Sequence, residues 1–158
     1  MSPALRWVQH GANLSVTATG LVYLWMKFLL EPADEWAVVN HPWQPTLQHL
    51  HVLAAPLLVF TFGLLFQVHL AARLRLGPAG RLTGLGLAST FVAMAASGYL
   101  LQISVAEGWR AAFSWMHLGS GGLWVALSVA HTLVALRVRR SRRAMERILQ
   151  ARLSTLEG

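Results

Sequence analysis

Charged residues are few in this chain: Asp, Glu, Lys and Arg together make up 12% of its 158 residues, and only six residues are acidic. An ordinary soluble domain carries about 25% charged residues, so the composition excludes one and points to lipid as the solvent. Cysteine is absent altogether. Its absence rules out a C-x-x-C-H attachment of c-type haem, so any haem here has to be of type b, held without covalent bonds. Acidic side chains are also missing from the long apolar stretches. Proton-relaying membrane proteins usually depend on such residues, which argues against a proton-driven transporter. No internal repeat or low-complexity linker is evident.

Apolar residues account for 55% of the chain, and they fall into four long stretches. These run from about Val8 to Leu30, interrupted only by Lys27, between Glu35 and Arg73, from Leu82 to Ala106, and between Arg110 and Arg137. A bilayer core takes roughly 20 apolar helical residues to span, so each stretch is expected to cross as a helix. The first ends in Glu31-Pro32-Ala33-Asp34 rather than in a small-residue cleavage site, and is therefore expected to be a mature helix and not a signal peptide. Eleven of the thirteen basic residues fall on one side of the resulting topology: Arg6, then Arg73, Arg75 and Arg81, then the seven arginines from Arg137 to Arg152. The other side holds Lys27 and Arg110 with Glu31, Asp34, Glu35 and Glu107. Lys and Arg accumulate in cytoplasmic loops, which places both termini in the cytoplasm.

The expected fold is all-α: a transmembrane four-helix bundle over residues 1–140, N-in and C-in, followed by a short basic cytoplasmic helix in the tail 141–158. Gly77-Pro78-Ala79-Gly80 reads as the turn between the second and third helices. Met145, Ile148, Leu149 and Leu153 recur at helical spacing in the tail, as suits a helix on the lipid surface. The net charge of +7 is also found in nucleic-acid-binding proteins, but a basic margin beside apolar spans is explained by insertion topology and anionic lipid head groups. Membrane lipid is therefore an expected partner and nucleic acid is not. Trp7, Trp109 and Trp115 read as interfacial anchors, and Met26, Met94 and Met116 as packing residues.

Seven histidines remain: His10, His41, His49, His51, His69, His117 and His131. Six lie within or at the ends of the spans, where ionisable side chains are costly and tend to mark functional positions. A single such histidine is often no more than an interfacial hydrogen-bonding residue, but the spacing is informative. His117 and His131 are 14 residues apart, a rise of about 21 Å and nearly four whole turns, so they face the same way at opposite depths. Gly119, Gly121 and Gly122 lie between them, and small residues let a flat macrocycle or another helix approach the backbone. A haem iron held by two imidazoles needs one from each of two facing helices at one depth. Topology puts His10 at the depth of His131, and His49 and His51 at the depth of His117. Two residues turn a helix by about 200°, so only one member of the His49–His51 doublet faces the fourth helix. His51, the deeper of the two, is preferred. His69 lies 18 residues beyond His51, five turns on the same face in a regular helix, and rivals His10.

With Arg6, His10, Thr19-Gly20, His51, Ser97-Gly98, His117 and His131 in place, residues 5–138 resemble the diheme cytochrome b membrane subunits of bacterial formate dehydrogenase and nickel-iron hydrogenase. That resemblance implies two haem b groups, with His10 and His131 as axial ligands of the cytoplasmic-side haem and His51 and His117 as those of the periplasmic-side haem. His49 and His69 are the alternatives. It also implies a place in the bacterial inner membrane and quinone exchange near the cytoplasmic haem, where Gln9, Asn13, Gln67 and His69 offer hydrogen bonds. Asn13 and Gln67 can equally serve to bond neighbouring helices. Two axial imidazoles leave iron no open position, which favours electron transfer over catalysis. The expected role is thus an electron-transfer subunit that connects a periplasmic redox subunit or cytochrome, docked over Glu31–Pro45 and Glu107–Phe113, to quinone. The competing readings are a stand-alone transmembrane quinone or ferric reductase, and a haem-free transporter or assembly factor whose histidines handle protons or metal.

Overall fold

The computed structural model of the chain describes residues 2–71 and 81–156. Arg73, Arg75 and the expected turn Gly77-Pro78-Ala79-Gly80 lie outside the described residues. Among those described, every regular element is a helix: α1 (Pro3–Phe28), α2 (Gln44–Leu65) continued by a π-helical segment (Phe66–Ala71), α3 (Arg81–Ile103) and α4 (Glu107–Leu156). The chain divides into two compact units, Met1–Arg73 and Leu74–Gly158, each of which is a helical hairpin.

In the first unit, Ser2 caps α1 by accepting a hydrogen bond from the Leu5 N–H at 3.2 Å. Pro3 occupies the first turn, where its missing N–H has no partner to lose. Helix ends leave carbonyls unsatisfied, and Asn40 answers two of them, donating from Nδ2 to Lys27 O at 3.0 Å and to Leu30 O at 2.8 Å. The loop between α1 and α2 is folded back on itself by two short contacts: Trp36 N–H donates to Asp34 Oδ1 at 2.8 Å, and Trp43 N–H to His41 Nδ1 at 3.1 Å. Helices α1 and α2 then pack along Ala12, Val16, Met26, Leu58 and Thr61, all buried. Thr61 is satisfied within its own helix, since its hydroxyl reaches Leu57 O and Leu58 O at 3.0 and 3.1 Å. Pro56 sits inside α2 and removes one ladder donor, a loss that membrane helices tolerate.

In the second unit, residues 104–106 join α3 to α4. Phe91, Met94, Ser97 and Trp124 form its buried centre, with the Phe91 and Trp124 rings 5.5 Å apart and inclined at 51°. Gly86 admits Leu127, whose Cδ1 would lie 3.0 Å from an added Cβ. The basic tail is helical, yet it is a direct continuation of α4 and not the separate short helix expected from the sequence. From Leu123 to Leu156 there is no Gly or Pro and helix formers predominate, so nothing ends the helix near residue 140. Its 50 residues extend about 75 Å at 1.5 Å per residue, well beyond a hydrocarbon core of about 30 Å.

Large apolar side chains cover the outside of both hairpins. Leu53 is 74% exposed, Leu14 69% and Val92 66%, an arrangement that favours an apolar surrounding medium. Helices α2, α3 and α4 are long and apolar enough to cross a membrane by length and composition. Helix α1 forms as expected but is not among them, because Gln9, His10, Asn13, Ser15, Thr17, Thr19 and Lys27 interrupt it.

Candidate functional site

The histidines are positioned by what the partner helix of each hairpin presents to them. In the first unit His51, in the second turn of α2, lies against Thr19 and Gly20 of α1. Its Nδ1 is 3.1 Å from Val16 O and 3.2 Å from Thr19 Oγ1. A carbonyl oxygen only accepts, so Nδ1 carries the proton and donates it to Val16. The Thr19 hydroxyl donates backwards to Ser15 O at 2.7 Å, which turns its lone pairs toward the imidazole. Gly20 makes the approach possible: a Cβ there would stand 2.9 Å from His51 Cε1 and 3.2 Å from Nδ1. The residue at this position therefore has to lack a side chain while the ring stays where it is.

The second unit repeats the arrangement. His117 of α4 places Nδ1 2.9 Å from Met94 O and 3.4 Å from Ser97 Oγ on α3, while the Ser97 hydroxyl donates to Ala93 O at 2.6 Å. A Cβ at Gly98 would stand 2.9 Å from His117 Cε1. Carbonyl, hydroxyl and glycine thus occur as Val16, Thr19 and Gly20 in one hairpin and as Met94, Ser97 and Gly98 in the other. Positions i, i+3 and i+4 share a helix face, so this spacing puts all three under one ring. The hydroxyl and glycine recur toward the other end of the second hairpin, where His131 Nδ1 is 2.9 Å from Thr83 Oγ1. Gly84 leaves more room there, 3.7 Å from an added Cβ to His131 Cε1. Thr83 and Ser97 are 14 residues apart, as are His117 and His131, so the antiparallel hairpin brings both histidines into register together.

The other expected site residues are placed as follows. His49 is exposed, so His51 is the member of the doublet that packs on α1. His10 is exposed on α1. His69 is half-buried within the π-helical segment. There, i→i+5 bonding turns the chain less per residue than an α-helix does, so the regular spacing counted from His51 is interrupted before His69. Asn13 is half-buried, and Gln9 carries the one buried side-chain polar atom, Oε1, found without a hydrogen-bond partner among the described residues. Gln67 has helical backbone, and its side chain is outside the described set. Each expected ligand pair, His10 with His131 and His51 with His117, takes one histidine from each unit. Among the described residues, no group of three or more His, Asp or Glu side chains is gathered to hold a metal ion. No protein-family model, curated protein or solved structure matches this chain.

The Val16 and Met94 carbonyls were not expected from the sequence, since a main-chain acceptor leaves no mark in residue type. Thr83-Gly84 was also missed, although it repeats the dipeptide Thr19-Gly20. The dipeptide alone is an insufficient guide. Ser120-Gly121 has the same character, and the Ser120 hydroxyl likewise bonds its own helix at Met116 O, 2.6 Å away, yet Gly121 faces Met94 Sδ and not an imidazole.

Proposed function

We propose that this chain is a membrane-anchored diheme b-type cytochrome that spans the bilayer four times and passes electrons between a periplasmic redox partner and the quinone pool. The observation that carries the reading is the contact of Nδ1 with a backbone carbonyl oxygen at both His51 and His117. Each gives its Nδ1 proton to a backbone carbonyl, which leaves the lone pair on Nε2, and metal-binding histidines are characteristically oriented by such a second bond. His51 and His117 would hold the outer haem, and His10 and His131 the inner one, with His69 as the alternative to His10. Haem held by two imidazoles supplies reversible one-electron transfer without an open coordination position. A bis-imidazole site needs only two histidines, whereas a structural zinc site needs four ligands and the described residues gather no such group.

The remaining roles go to groups at the two ends of the hairpins. Gln9 offers an amide oxygen that accepts from a quinol hydroxyl, and Asn13, Gln67 and His69 complete the polar residues at that depth. On the outer side, Glu31, Asp34, Glu35, Trp36 and Val38 are exposed, Val38 at 98%. They offer an acidic and apolar surface to a redox partner.

A reduced-minus-oxidised visible spectrum of the purified, haem-supplied chain tests the function: two b-type haems per chain are expected, and a colourless preparation would end the proposal. Topology is tested separately. Because cysteine is absent, a single introduced thiol reports without background. In right-side-out vesicles, Val38→Cys is expected to react with a membrane-impermeant maleimide, and Arg143→Cys only after lysis. The reverse pattern, or labelling of both, would discard the four-span orientation.

A further inference from the structure

We propose that the three Ser/Thr–Gly steps are imidazole seats: Thr19–Gly20, Ser97–Gly98 and Thr83–Gly84 are positioning residues that hold His51, His117 and His131 with Nδ1 turned into the neighbouring helix and Nε2 as the presented nitrogen. The seats are defined by contacts within each hairpin, so only the last clause, ligation through Nε2, rests on the haem reading.

Three features make these steps more than a run of small residues. The hydroxyl is directional in two of them, because Thr19 and Ser97 spend their own proton on Ser15 O and Ala93 O and so face the ring as acceptors. The ring edge lies where a side chain would otherwise be, at 2.9 Å in the seats of His51 and His117, closer than Cβ contacts normally come. The hydroxyl and glycine also recur at Thr83–Gly84, which lies opposite His131 at 2.9 Å. An imidazole that donates from Nδ1 cannot turn without breaking that bond, and it becomes a more basic ligand at Nε2. The seats of His51 and His117, where carbonyl and hydroxyl both face Nδ1 as acceptors, therefore select one of the two neutral tautomers before any ligand arrives, and the proposal extends that selection to His131.

The three seats differ in tightness, and that difference supplies the test. The full chain, with 15N-labelled histidine and in lipid nanodiscs, is examined first without haem. His51, His117 and His131 are expected to show the Nδ1-protonated tautomer. Thr83→Val should shift His131 away from it while leaving His51 and His117 unchanged, and Thr83→Ser should restore it. Haem per chain is then measured after haem supply. Gly20→Ala and Gly98→Ala should each lose one of two haems, since the added methyl takes the place of the ring edge, whereas Gly84→Ala should keep both because 3.7 Å is an ordinary contact.

Nε2-protonated rings in the haem-free chain would overturn the proposal, as would a Thr83→Val variant in which His131 is unaltered. Equal haem loss in Gly84→Ala and Gly98→Ala would remove the glycines from it. A chain that takes up no haem yet shows the Nδ1 tautomers would overturn the haem reading and leave the seats standing. If the glycine variants lose helix content, the tautomer of Thr83→Val, which adds no bulk in the ring's path, decides the matter alone.

Discussion

His117→Ala is expected to halve the haem content of the chain, from two per polypeptide to one, and His131→Ala is expected to do the same by removing the other haem. The two histidines lie 14 residues apart on α4, about 21 Å along the axis, which is too far for one porphyrin to use both. On the proposed reading each replacement removes one axial ligand outright, and a b-type haem would have no covalent bond to retain it. The doubles sharpen the result. His51→Ala combined with His117→Ala should still retain one haem, because both act on the outer site, whereas His117→Ala with His131→Ala should retain none. The inner partner is settled by comparing His10→Ala with His69→Ala: the one that reproduces the His131→Ala spectrum is the ligand. Unchanged stoichiometry in the His117 or the His131 variant would discard the assigned pairs.

Scarcity of charge was enough to locate the helices. Each of the four charge-poor stretches holds one of α1, α2, α3 and α4, although the second begins well before α2 and the fourth stops short of the end of α4, because only a backbone that bonds internally can persist through a long apolar run. The C-terminal end of α4 was misjudged for a physical reason. The arginines after Arg137 mark where the lipid should end, but they are good helix formers, so the change of medium does not end the helix. The π-helical segment from Phe66 to Ala71 was not legible either, since it depends on a shift in hydrogen-bond register that no residue pattern announces.

The site was legible to a similar degree. Spacing alone singled out His117 and His131, and Thr19-Gly20 and Ser97-Gly98 were already associated with them by resemblance. What Thr and Ser do there became apparent only once the antiparallel register had placed a ring against each. For the His49–His51 doublet, helical geometry established that the two point to nearly opposite sides. Gly20 admits the ring of His51, so His51 is the member of the doublet that packs on α1.

Trp124 marks the midpoint of the second hairpin and should be its most sensitive packing position. It lies seven residues from His117 and seven from His131, nearly two whole turns from each, so all three lie along the face of α4 that meets α3. It is 5% exposed and rests on Phe91, itself 7% exposed. In a water-soluble core, Trp→Ala costs about 3–5 kcal/mol. Part of that is transfer from water, and lipid tails are as apolar as the core, so packing is what remains to be lost. An aromatic pair contributes about 0.5–1.5 kcal/mol beyond its area, and the cavity adds to it, so Trp124→Ala is expected to cost about 2 kcal/mol and Trp124→Phe less than half as much. The loss should appear as a lower melting temperature in detergent. Because one helix interface carries both seats, the melting of haem from the His117 and His131 sites should fall together. A variant that melts like the parent, or that loosens one site alone, would show that α3 and α4 do not act as a single framework for the two histidines.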